Sequence, residues 1–209
     1  MNKTDVQEFF SRLEKENPNP KCELEYKNPY TLMVAIILSA QSTDKGVNKA
    51  TPKLFEVADS AAKMVALGED GLKNYIKTIG LYNNKAKNII LMSQQLLKEF
   101  DGELPRERAK LETLAGVGRK SANVFLNVIY NEPYIAVDTH VFRVSNRTGL
   151  ASGKNPLEIE DGLEKVVPEC YKSRASHWLV LLGRYTCTAK KPLCSTCKVK
   201  DLCEFKDKA

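Results

Sequence analysis

Apolar residues in this chain recur three and four positions apart in one segment after another, a period that fits helices and excludes half-buried strands. Val6, Phe9, Phe10 and Leu13 make one such stripe, ending before "NPNP". Ala86, Ile89, Ile90, Leu96, Leu97 and Phe100 make a second, stopped by "DGELP" (101–105). Ile159, Leu163, Val166 and Val167 make a third, and Ala175, Trp178, Leu179 and Leu182 a fourth. The segment "TLMVAIILSA" (31–40) is apolar on every side and follows Asn-Pro. It reads as a central buried helix, with a buried strand as the competing reading. Period-two alternation is nearly absent, and no Asn-Gly or Asp-Gly pair separates β-branched runs. The fold class is therefore expected to be all-α.

A chain of 209 residues can build one domain or two small ones. Connections such as "DGELP" and "LASGKNP" (150–156) are short, and no low-complexity linker or internal repeat appears. Two subdomains, if present, are expected to pack closely.

The start, "MNKTDVQEFFSRL", has none of the three regions of a secretory signal. The longest apolar run, Leu32 to Leu38, is far short of the roughly 20 residues that cross a bilayer. The expectation is a soluble protein without a membrane partner, monomeric and cytoplasmic, and associated with the nucleoid if prokaryotic. In that compartment the six cysteines stay reduced, which makes them candidates for metal rather than disulfides.

Charged residues make up 28% of the chain and are mixed in sign, but the net charge of +6 is unevenly placed. From Arg184 onward there are seven basic residues (Arg184, Lys190, Lys191, Lys198, Lys200, Lys206, Lys208) against three acids (Asp201, Glu204, Asp207). That segment carries +4 of the total and is where a polyanion would be attracted.

Residues 107–131 read as helix, tight turn, helix, with "LAGVGRK" (114–120) at the centre and Ala122, Phe125, Leu126 and Ile129 on the inner face of the second helix. Gly116 and Gly118, on either side of Val117, suit a turn that needs positive φ and lets a ligand approach the backbone. Amides of such a turn, with the start of the next helix, direct partial positive charge at a phosphate, and Arg119 adds to it. The turn's carbonyls are also suited to a monovalent cation. A plain packing turn is the alternative.

Lys120 sits where the second helix begins and has two readings. One is a further phosphate contact. The other is chemistry, which requires a neutral amine and so costs about 4.6 kcal/mol at pH 7 from a reference pKa near 10.4. A helix N-terminus, a neighbouring cation and desolvation by a bound substrate all reduce that cost. Eighteen residues further on, "AVDTHVFRV" places Asp138 just before another predicted helix, as an N-cap.

Near the C-terminus, "CTAKKPLCSTCKVKDLC" spaces Cys187, Cys194, Cys197 and Cys203 with six, two and five residues between them. Four thiolates at that density are a metal site, and the spacing alone leaves zinc and an iron-sulfur cluster both open. Lys190 and Lys191 lie in the loop between the first two, pinned at both ends and suited to the phosphates of a polyanion, with a solvated loop as the alternative. Cys22 and Cys170 fit no such spacing and read as buried or incidental thiols.

"LAGVGRKSANV" followed by "VDTHVFRV" resembles the endonuclease III family of DNA glycosylases, within the helix-hairpin-helix superfamily. "ILSAQSTDKGVNKAT" (37–51), "IKTIGLYNNKAKNI" (76–89), "HWLVLLGRYTC" (177–187) and the cysteine array extend the likeness over almost the whole chain. Ala115 and Ser121 depart from the proline and threonine often found there.

The resemblance implies a bifunctional DNA glycosylase and abasic-site lyase acting on oxidised pyrimidines in double-stranded DNA. Lys120 would be the nucleophile at C1′ and Asp138 its activating carboxylate, the four cysteines would hold a [4Fe-4S] cluster, and β-elimination would cut 3′ to the lesion. Gln41 would meet the orphaned base and Leu81 would wedge the stack, although a helix-end hydrogen bond and core packing are their plain alternatives. Asp44 is a further pocket candidate, and His140 and His177 read as structural.

The implied architecture is a helical barrel of residues 22–132 and an iron-sulfur domain of residues 1–21 with 133–209, its cluster loop spanning 187–203, with DNA bound in a cleft between them. Lys120 and Asp138 would face each other across it. Two alternatives are a monofunctional adenine glycosylase of the same superfamily, which lacks the nucleophilic lysine, and a non-catalytic DNA-binding or iron-sulfur sensor protein.

Overall fold

The computed structural model describes residues 1–206, which form eleven α-helices, one short 3-10 turn and no strand. Asp207 and Lys208 of the basic tail lie outside the described residues. The chain separates into two compact units, Cys22–Tyr130 and Met1–Lys21 with the residues from Asn131 onward.

The continuous unit begins with α2 (Pro29–Ser39), since α1 (Lys3–Glu16) belongs to the other. Residues 30–38 of α2 are all buried, so its hydrophobicity has no polar side. The start signal is what makes this apolar run a helix. Asn28 accepts from the Thr31 amide and Thr31 Oγ1 accepts from the Asn28 amide, both at 2.9 Å, with Pro29 fixing the first turn. Around α2 lie α3 (Asp44–Ala50), α4 (Pro52–Val57), α5 (Ala61–Ile76), α6 (Tyr82–Glu99), α7 (Arg108–Leu111) and α8 (Arg119–Tyr130). Of these, α3, α6 and α8 pack directly against it. The break in α5 falls at Gly68, whose φ of 74° interrupts the helical run.

Two details differ from the sequence reading. The inner stripe of α6 is Lys85, Ala86, Ile89, Met92, Ser93 and Leu96, whereas Leu97 is 42% exposed. Ser93 is accommodated inside by donating to Ile89 O at 2.7 Å and by sharing a 2.6 Å bond with the Tyr30 hydroxyl. The helix expected over 107–114 is a single turn, α7, and Ile129 on α8 is only half-buried while Asn123 and Asn127 are buried.

The second unit joins α1 to α9 (Thr139–Thr148), α10 (Pro156–Val166), α11 (Glu169–Tyr185) and the 3-10 turn Cys194–Thr196. Its core holds the predicted stripe Val6, Phe9, Phe10 and Leu13 against Val141, Val144, Ile159, Leu163, Trp178 and Leu179. Phe10, Tyr171 and Trp178 form an aromatic cluster with ring centroids 5.8–6.3 Å apart. Side chains of this size contribute about 1.5–3 kcal/mol each on burial. Trp178 Nε1 donates to Asn17 O at 2.8 Å, tying α11 to the end of α1.

Candidate functional site

The glycine turn is fixed by its buried anchors. Leu114 and Val117 are 3% and 5% exposed, so Val117 secures the loop and only its backbone can meet a ligand. Gln95 on α6 accepts from the Ala115 amide at 2.8 Å and donates to Thr113 O at 3.2 Å, closing the turn from one side. Gly116 has φ 78°, and a Cβ there would lie 2.9 Å from Asn88 Cβ. Both requirements for glycine, conformation and close packing, fall on this residue. Gly118 differs from the expectation. Its φ lies outside the left-handed region, and a Cβ would meet nothing within 4 Å. Nothing inside the protein requires glycine at 118; the open space is on the exposed side of the turn.

Helix α8 starts there, Gly118 O accepting from the Ala122 amide at 3.0 Å. Lys120 is exposed in its first turn and Arg119 is half-buried beside it, where helix geometry leaves N–H groups directed outward. Burial by the protein itself does not desolvate Lys120, so any desolvation has to come from what binds.

Asp138 caps α9. Its Oδ1 accepts from the amides of His140 and Val141, each at 2.8 Å, and Oδ2 has no hydrogen-bond partner among the described residues. The cap therefore leaves one oxygen of this half-buried carboxylate open. His140 Nδ1 lies 3.2 Å from Arg143 Nη2; because arginine only donates, Nδ1 is the acceptor.

All four cysteines of the array line one cavity, with Leu182, Leu193, Val199 and Phe205 among its other walls. Burial raises the Cys197 thiol above its ordinary value, and Cys203, Cys187 and Cys194 push it the same way, so the four sulfurs share one electrostatic environment. Four thiols around one cavity with apolar walls are a donor set that an iron-sulfur cluster takes.

Arginines from α9 hold this segment, and sequence reasoning had not singled them out. Arg143 donates to Gly183 O at 2.7 Å and Cys187 O at 3.1 Å. Arg147 donates to Thr188 O at 2.7 Å and Ala189 O at 2.8 Å, approaches Cys187 Sγ at 3.6 Å and stacks 4.8 Å from the Phe205 ring. Their spacing of four in "HVFRVSNRT" puts both on one face, which was the available signal. The loop they grip from inside leaves Lys190 and Lys191 exposed, while Arg184 is half-buried at the end of α11. Cys22 is half-buried and Cys170 exposed.

Gln41 and Leu81 share an unusual backbone. Both are in the left-handed region, with φ of 55° and 60°, and both are exposed, Leu81 by 56%. Core packing of Leu81 is thereby excluded, and the Gln41 side chain makes no helix-end hydrogen bond among the described residues. Asp44 opens α3 behind the Thr43 cap, half-buried.

Residues 34–169 match the family described as HhH-GPD superfamily base excision DNA repair protein, and residues 187–203 match the iron-sulfur binding domain of endonuclease III. The endonuclease III of Haemophilus influenzae is 56% identical over 208 residues, covering 100% of this chain and 99% of the relative. This chain belongs to the endonuclease III family. The Escherichia coli K12 enzyme is 54% identical over the same span and coverage. Among solved structures, a trapped endonuclease III–DNA covalent intermediate in an estranged-adenine complex superimposes with a TM-score of 0.91 at 41% identity, covering 97% of this chain and 96% of that one. As in its family, the cofactor of this chain is a [4Fe-4S] cluster.

Proposed function

We infer that this endonuclease III family member is a base-excision-repair DNA glycosylase and abasic-site lyase for oxidised pyrimidines in double-stranded DNA. The observation that carries the site assignment is Lys120, an exposed amine in the first turn of α8, two residues past a glycine with open space in front of it. In this reading the neutral Nζ attacks C1′ of the damaged nucleotide, the C1′–N bond to the base breaks, and the base leaves with its electron pair and a proton. The C1′–O4′ bond then breaks, O4′ leaving with the electron pair and taking up a proton, which opens the sugar and gives a protonated imine to Lys120. The imine acidifies C2′; removal of a C2′ proton expels the 3′ oxygen, and water finally releases Lys120.

Asp138, with Oδ2 left open by the cap, takes up positive charge on the amine and sugar as the bond to the base breaks. The turn amides of 116–118 and Arg119 hold phosphates on one side, and Lys190, Lys191 and Arg184 do so elsewhere. Gln41 and Leu81 fill the space that a flipped nucleotide leaves. Cys187, Cys194, Cys197 and Cys203 hold the cluster, which when bound cross-links four points of the C-terminal segment and sets the loop of Lys190 and Lys191. No helix among the described residues is long and apolar enough to cross a membrane, and work on DNA suits a cytoplasmic monomer.

The test is strand scission of a duplex carrying thymine glycol. Wild type should release the base and leave a 3′ unsaturated aldehyde, the mark of β-elimination. Base release with an intact abasic site would contradict the lyase assignment.

A further inference from the structure

Lys85 is a buried charge that no step above uses. It closes the first turn of α6 with 5% of its surface exposed, a placement lysine seldom adopts. Its Nζ donates to Leu38 O and to Ser42 Oγ, both at 2.9 Å, and no carboxylate pairs with it among the described residues. Leu38 O lies in the last turn of α2, where helix carbonyls lack intrahelical partners and a cation is favoured.

The two acceptors bracket Gln41, one three residues before it and one directly after. The backbone of the same lysine reaches the other exposed turn, its amide donating to Leu81 O at 3.1 Å. The two turns also abut, since a Cβ on Gly80 would come within 3.9 Å of Gln41 O. Non-glycine residues persist in left-handed backbone only where their surroundings over-determine them. Here the Lys85 ammonium supplies two bonds around the Gln41 turn from one helical turn beyond Leu81, whose carbonyl accepts the ordinary first helical bond of α6.

We propose that Lys85 is a positioning residue that locks the Gln41 and Leu81 turns together as one duplex-probing unit, so that excision from duplex DNA depends on an ammonium that touches neither DNA nor the reacting atoms. This rests on the reading of Gln41 and Leu81 given above. Burial pushes the Lys85 amine below its ordinary value, since desolvation disfavours the charged form.

The experiment compares wild type, Lys85→Met, Ser42→Ala, Gln41→Ala and Leu81→Ala by circular dichroism and three functional readouts. These are single-turnover excision of thymine glycol from duplex, fluorescence of a 2-aminopurine opposite the lesion, and cleavage of a single-stranded oligonucleotide holding an abasic site. Lys85→Met should slow duplex excision about tenfold and diminish the fluorescence change, while single-strand cleavage stays within about twofold. Ser42→Ala, which removes one of the two acceptors, should act in the same direction and less. Equal loss on duplex and single strand would make Lys85 a support of the fold alone, and no loss on duplex would also overturn the proposal. If Gln41→Ala and Leu81→Ala leave the duplex readouts unchanged, the duplex-probing reading itself fails, and the role of Lys85 with it.

Discussion

Alanine at Gly116 and alanine at Gly118 should damage the enzyme in different ways, although the two glycines are separated by one residue. At 116 the φ of 78° puts a side chain in left-handed backbone, which costs about 1–2 kcal/mol. The new methyl also lies 2.9 Å from Asn88 Cβ and 3.3 Å from its Nδ2, an overpacking that costs about 1–3 kcal/mol. A total near 3 kcal/mol corresponds to a melting temperature lowered by about 6–12 °C in a chain of this size. At 118 neither contribution exists, because no atom lies within 4 Å and φ is not left-handed. Stability should change by less than about 0.5 kcal/mol. The methyl would instead stand between the turn amides and a phosphate, lowering affinity for duplex about tenfold. Thermal unfolding by far-ultraviolet circular dichroism and equilibrium binding to an uncleavable abasic-site duplex measure the two quantities. Equal melting temperatures for the two variants, or wild-type binding by Gly118→Ala, would refute the division of roles.

Three further outcomes are expected. Asp138→Asn keeps an N-cap of equal quality and should melt like wild type while losing about a hundredfold in turnover, whereas Asp138→Ala should lose about 1 kcal/mol of stability as well; melting curves and single-turnover rates separate the two. Burial holds the His177 imidazole below its ordinary value of 6.5, so below about pH 6.5 the unfolded chain takes up a proton that the folded chain refuses. Stability should therefore fall as pH drops through that range toward the folded value and be indifferent above it, and denaturant titrations of His177→Gln should show a flatter profile. Removing the cluster should free the loop that Arg147 grips, so trypsin should cut after Lys190 much faster while Cys22–Tyr130 resists; Lys191 precedes Pro192 and is not a cleavage site.

Much of this was legible because helices announce themselves through local spacing. The α1 stripe, the buried α2 and the turn at 114–120 depend on residues close in sequence, and so does the Asp138 cap. The phase of α6 was not legible, because Lys85 scores as polar and Leu97 as apolar. A lysine can be buried when two oxygens from α2 and the following turn await its ammonium, and those oxygens come from more than forty positions away. At Gly118 the expectation of positive φ failed for a related reason: a glycine with open space in front of it looks in sequence like one that its own fold requires. Arg143 and Arg147 hold carbonyls some forty residues later; their spacing of four shows that they share a face of α9, but nothing local shows which backbone atoms that face meets.

The central claim is that Lys120 forms the covalent bond to DNA, and borohydride trapping tests it directly. Incubated with a thymine glycol duplex and then reduced, wild type should give a stable protein–DNA adduct, and Lys120→Ala should give none while still binding the duplex. An adduct of undiminished yield in Lys120→Ala, or none in wild type that binds, would contradict the account.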